Sequence, residues 1–174
     1  MRNLSLRKIV TAGIFSALAT LTFMLENLFP PIILPGARLG LSNVFILLSV
    51  LTLGAKFGFA VLIVKTVIGS LFAGNISAVM YSLPAGVISL TLEVLLLYFT
   101  KKTSILAISV LGSVTNITVQ NATFCLITNA IEYICYLPYL SLIGVISGLA
   151  VGFIVYLSLK FLPLNLLKEK VVEE

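Results

Sequence analysis

Six long apolar runs are joined by short connections whose cations fall almost entirely on alternate sides. This arrangement constrains the fold more than any motif does. The runs cover roughly 8–28, 39–54, 57–73, 79–99, 104–128 and 137–161. With the N-terminus on the cytoplasmic side, Arg2, Arg7, Lys8, Lys56, Lys101, Lys102, Lys160, Lys168 and Lys170 share that side, nine of the eleven cations. Arg38 falls in a loop on the opposite side, and Lys65 falls inside a run. Lysine and arginine in short loops set the orientation of membrane helices. The expectation is a multi-pass protein of the cytoplasmic membrane with both termini inside. The formal net charge of +5 is then a topology signal and not a nucleic-acid footprint.

Each crossing takes about 20 residues to cover roughly 30 Å of hydrocarbon. Six crossings use most of the 174 residues, so a single membrane domain over 1–174 is expected, with no soluble domain. A chain that is 60% hydrophobic, with mean hydropathy +1.19, does not make a globule with a wet surface. The first run is too long for a signal-peptide core and no small-residue cleavage site follows it, so it reads as a retained span. The chain contains no His, no Asp and no Trp. A catalytic zinc site, a Ser-His-Asp triad and an Asp-rich motif for magnesium and diphosphate therefore have no residues to build them. No Walker A loop occurs either. These absences predict a protein that is not an enzyme and has no metal or cofactor. Any uphill work draws on a partner or an ion gradient.

Small residues mark two spans. In the first, Ala12 and Ser16, and Gly13 and Ala17, stand four apart, a spacing that lets helix backbones approach closely in lipid. Packing against another span of this chain and docking of a separate membrane protein both fit. In the sixth, Gly144, Gly148 and Gly152 form one stripe, and there the packing reading is preferred. Between spans one and two, Pro30, Pro31 and Pro35 make a stiff apolar connection, read as a segment folded over the outer mouth of the bundle. Span two is short, and Ser42 and Asn43 stand at its outer end. Pro84-Ala85-Gly86 is expected to kink span four. Cys125 and Cys135 read as packed thiols, with a disulfide as the alternative.

Amide and ionisable side chains inside spans are costly and mark functional sites or partner one another. Glu26 and Asn27 close the outer end of span one, and Asn75 and Tyr81 bracket the junction of spans three and four. Asn116, Gln120 and Thr123 make one polar stripe on span five, whereas Asn121 points roughly 140° away from Asn116 at 3.6 residues per turn. Lys65 lies at mid-depth in span three and requires a partner, with Glu26 outward of it and Glu93 inward. Most of this polarity falls in the outer half. A cavity opening outward is expected, with Glu26, Arg38, Asn43, Asn75, Tyr81, Asn116 and Gln120 as substrate-binding residues.

The chain resembles a bacterial membrane family known both as the Gx transporter family and as heptaprenyl diphosphate synthase component I. The resemblance is carried by Glu26, by Leu34-Pro35-Gly36, and by Arg38-Leu39-Gly40-Leu41-Ser42-Asn43. Gly54, Lys65 (usually arginine in the family), Gly74, Ser82, Gly86, Ser89, Tyr136-Leu137-Pro138-Tyr139-Leu140, Gly144 and Gly148 extend it. The chain departs from the family pattern at Asn116-Ile117, where a His-Asn pair is usual, and at Glu93, where Met is usual. The family is similar in size and layout to the substrate-binding S components of energy-coupling factor (ECF) vitamin transporters. The resemblance implies an all-α bundle of six transmembrane helices that binds a small flavin-like or quinone-precursor molecule from outside. It also implies an ECF coupling subunit and ATPases as partners, docked on Ala12, Gly13, Ser16 and Ala17. A membrane component of heptaprenyl diphosphate biosynthesis is the alternative, with Arg38 and Lys65 on phosphate. A self-contained ion-coupled carrier using Glu26 and Glu93 is the third reading.

Overall fold

Backbone amides and carbonyls in hydrocarbon have no water to bond, so an apolar segment closes its own hydrogen bonds as a helix. The structure is a computed structural model that describes residues 2–28, 40–100 and 103–161. Among these residues the chain forms α1 (Arg2–Leu28), α2 (Asn43–Leu53), α3 (Ala55–Phe72), α4 (Ala78–Phe99), α5 (Ile105–Thr128) and α6 (Leu137–Phe161). A 3₁₀ segment, Ile131–Tyr136, leads into α6, and no strand occurs among the described residues. Leu6–Asn27, Ala55–Phe72, Ala78–Phe99, Ile105–Thr128 and Ile131–Phe161 are each long and apolar enough to cross a membrane. The chain is an all-α, multi-pass membrane protein.

The second helix is a different kind of element. Its 11 residues span about 16 Å, roughly half of the hydrocarbon thickness. It is buried on most sides, as a helix that is apolar all round should be when it lies inside a bundle. Val44, Leu47, Leu48 and Leu51 cluster with Val151 and Val155 of α6. Ile46 and Val50 cluster with Ala12 and Ala19 of α1 and with Val61 and Leu62 of α3. Gly54 joins α2 directly to α3 with φ of 103°, a conformation that a side chain would strain. Its N–H donates to the carbonyls of Ser49 (3.2 Å) and Val50 (3.0 Å), which closes the end of α2.

The helices pack in a closed circuit: α1 on α3, α3 on α4, α4 on α5, α5 on α6, α6 on α2 and α2 on α1. The glycine stripe of α6 makes its packing on α5 possible. A Cβ on Gly148 would stand 2.5 Å from Val110 Cα and 2.9 Å from the Ser109 carbonyl oxygen. Equivalent atoms on Gly152 and Gly144 would lie 3.0 Å from Leu106 Cα and 3.2 Å from Val114 Cα. Backbone meets backbone here, so this stripe is spent within the bundle. The opposite surfaces face lipid. On α1, Leu6, Ile9, Val10, Ile14, Leu21 and Leu25 are all exposed.

The small residues of α1 do not form one outward face, which corrects the expectation for that helix. Ala12 joins the buried cluster with Ile46, Val50 and Val61. Ser16 is half-buried, and its hydroxyl donates to the Ala12 carbonyl at 2.8 Å. Gly13 and Ala17 are exposed, and a Cβ on Gly13 would meet nothing within 4 Å. One residue along a helix turns the side chain by about 100°, and that step separates the packed pair from the free pair. Cys125 is buried, Cys135 is exposed, and both are free thiols.

Candidate functional site

The last turn of α1, the start of α2, the second half of α3, the first half of α4 and the second half of α5 meet at one end of the bundle. They line a small cavity of about 30 Å³ that is open at its mouth. Helical periodicity puts the lining there, since residues three or four apart share a face. Phe23 and Glu26 come from α1, and Gly40, Ser42 and Asn43 from the approach to α2 and its first residue. Leu62, Lys65 and Thr66 come from α3 and Ser82 and Gly86 from α4. Asn116, Ile117 and Gln120 come from α5.

Lys65 is the centre of this arrangement. It is only 6% exposed, and its Nζ donates to Asn43 Oδ1 at 2.8 Å. The same ammonium stands 5.6 Å from the centroid of the Phe23 ring, within cation–π range. The ring itself lodges against α3 at Gly69, where a Cβ would come within 2.5 Å of it. Glu26 accepts a hydrogen bond from the Leu41 backbone N–H, which ties the end of α1 to the approach of α2. A carboxylate and an ammonium thus line one cavity, where the low dielectric strengthens both fields. Ser42 is 1% exposed, and its Oγ has no hydrogen-bond partner among the described residues. Gln120 spans the seam between α5 and α4, its Nε2 donating to Ser82 Oγ over a long 3.4 Å.

The lining is a mixed polar set. It offers one positive and one negative group, three amides and several hydroxyls above an aromatic ring. Among the described residues no three of His, Cys, Asp and Glu gather as they would around a metal ion.

Of the residues singled out in the sequence, Glu26, Asn43, Asn116, Gln120 and Lys65 line this cavity together. Arg38 lies outside the described residues. Asn75 and Tyr81 do not line the cavity, which corrects their expected place. The Asn75 side chain accepts from Ser77 Oγ (2.7 Å) and from the Ala78 N–H (3.2 Å), so it shapes the start of α4. Tyr81 packs edge-on against Phe124, with ring centroids 5.7 Å apart. The polar stripe of α5 also ends one turn earlier than expected, because the Thr123 hydroxyl bonds back to the Val119 carbonyl at 2.8 Å. Asn121 faces a different neighbour from Asn116, as its angle predicts, and donates to the Tyr133 carbonyl at 3.1 Å. Glu93 is half-buried away from the cavity, its carboxylate against Gly112 of α5. Phe23, Leu62, Thr66 and Ile117 are cavity residues that the sequence did not mark.

A profile of the family described as heptaprenyl diphosphate synthase component I matches residues 15–157. The chain belongs to that family. No curated protein and no solved structure matches it. Every lining residue of the cavity lies inside the segment that the family profile covers, from Phe23 to Gln120. The resemblance read from Glu26 to Ser89 and from Tyr136 to Gly148 is thereby upheld. The family description names a component of a synthase.

The cavity wall on α5 makes a specific prediction. Gln120→Leu keeps the side-chain volume but leaves Ser82 and any bound polar group unmatched, a loss of about 1–3 kcal/mol. For a small molecule that binds this cavity, occupancy should weaken by roughly tenfold or more on that scale. Asn121→Leu, on the face turned to Tyr133, should leave that occupancy close to wild type in native mass spectrometry.

Proposed function

We propose that the protein is the substrate-binding membrane subunit of an uptake system. It takes up a small, partly polar cofactor-like molecule and works with a membrane coupling subunit and ATPases. The observation that carries this reading is the cavity: charged, amide and hydroxyl groups converge inside an apolar bundle at one end. The absence of His and Asp from the whole chain favours binding over catalysis. Alternation of the cations places the cavity at the external end in this reading, with both termini in the cytoplasm.

Gly13 and Ala17 are the docking residues we assign to the coupling subunit. They form the free half of the small-residue pattern on α1, where a partner helix can approach closely. Gly13→Leu or Ala17→Leu should abolish co-purification with the ATPase-bearing module. The isolated protein should keep its bound small molecule and its thermal stability in detergent. Loss of the small molecule in the same variants would show that this face belongs to the bundle.

The family description favours a second reading, a membrane component of heptaprenyl diphosphate biosynthesis. Lys65 would then bind a diphosphate. Displacement of a small molecule bound in the cavity by inorganic diphosphate at micromolar concentration would select that reading over the first.

A further inference from the structure

Beside the cavity, a polar contact and an aromatic contact close the seam between α4 and α5. On the cavity side it is held by the 3.4 Å hydrogen bond from Gln120 to Ser82. One turn further out it is held by the edge contact of Tyr81 on Phe124, and Phe124 packs edge-on against Tyr133 at 5.5 Å. Both ends of this short stretch of α4 are built to bend. Pro84 lies inside the helix and has no N–H to give the Met80 carbonyl, so the turn before it lacks a bond. Gly74, at φ +68°, precedes it in a left-handed conformation that glycine adopts freely. Between these two points Ala78 is fully buried, and Val79, Tyr81, Ser82 and Leu83 are partly buried.

The rim of the seam is apolar. Ile76 and Met80 on one side and Leu126 and Ile131 on the other are 59–79% exposed. In a multi-pass protein these side chains meet lipid, and a charged solute approaching from water would cross them at a cost. We propose that residues 75–83 form a gate hinged at Gly74 and Pro84 and latched to α5 by Tyr81 and Ser82. The gate admits an amphiphilic molecule dissolved in the surrounding leaflet sideways into the cavity. The apolar part of that molecule passes the aromatic latch, and its polar end goes first to Gln120 and then to Lys65. This rests on reading the cavity as the ligand site.

The test measures access to the cavity without any ligand, so its failure is distinct from failure of the uptake reading. Asn116→Cys, in a chain also carrying Cys125→Ala and Cys135→Ala, places one thiol in the cavity wall. In lipid nanodiscs its rate of modification is followed with N-phenylmaleimide, which dissolves in lipid, and with a charged methanethiosulfonate, which does not. Adding Tyr81→Ala with Phe124→Ala removes the latch and should speed the maleimide reaction about tenfold, the scale of one lost aromatic pair. Adding Pro84→Ala restores the helix bond and should slow it several-fold. A maleimide rate unchanged by either alteration overturns the gate. Acceleration confined to the charged reagent overturns the lipid-side route.

Discussion

Lys65→Met is expected to lower occupancy of the cavity by at least about thirtyfold, the middle of the range for losing a hydrogen bond to a charged group. The ammonium is 6% exposed, held at 2.8 Å by Asn43 and faced by the Phe23 ring. Methionine has nearly the same length and volume, so the cavity keeps its shape. Removing the ammonium leaves Asn43 and the neighbouring carboxylates without it, so the variant should also melt below wild type. Lost occupancy at temperatures well below that lowered melting point is therefore the expected signature. Lys65→Arg keeps the charge and should keep more of the binding than Lys65→Met does. Native mass spectrometry of the three proteins, purified side by side, reads the occupancy directly. Full occupancy in Lys65→Met would remove Lys65 from the site.

Gly148→Leu should prevent the bundle from assembling. A single added Cβ would lie 2.5 Å from Val110 Cα, where no flexible side chain can move aside. Either α6 separates from α5 along the whole glycine stripe or the backbone distorts. Overpacking in a well-packed interior costs about 1–3 kcal/mol, more where backbone must yield. In lipid nothing repays that separation, because helices there are held by close packing and not by exclusion of water. The variant is expected to accumulate poorly and to melt far below wild type in detergent. Gly148→Ala should show a smaller loss. Gly13→Leu is the internal control, since nothing stands within 4 Å of that position. Equal melting of Gly148→Leu and wild type would contradict the packing of α6 on α5.

The helices were legible in the sequence because apolar runs of this length have one solution in lipid. The depth of each polar residue was legible for the same reason: Glu26, Asn43, Asn116 and Gln120, read at the outer end, line one cavity, and Lys65, read at mid-depth between two carboxylates, joins them there. Azimuth was harder. Periodicity within α5 separated Asn116 and Gln120 from Asn121, because all three lie on one helix. It could not place Tyr81, whose direction depends on how α4 is rotated against α5. Nor could it divide the small residues of α1. A lipid-facing glycine and a packed alanine look alike until the neighbouring helices are known. The apolar part of the wall was invisible for a related reason. Phe23, Leu62 and Ile117 have the composition of core residues, and only their position beside Lys65 and Gln120 makes them lining. Asn75 was misplaced by its own chemistry, since a short amide at a helix start is satisfied locally.

The most direct measurement is a crystal structure of the protein purified from its native membrane without added ligand. The expected result is density in the cavity between α1 and α5, with polar atoms of a bound molecule within hydrogen-bond distance of Lys65, Asn116 or Gln120. The Ser42 hydroxyl should gain a partner in the same structure. Density against Glu93 and Gly112 instead, or a cavity filled only by the chain's own side chains, would contradict a ligand site at this end of the bundle.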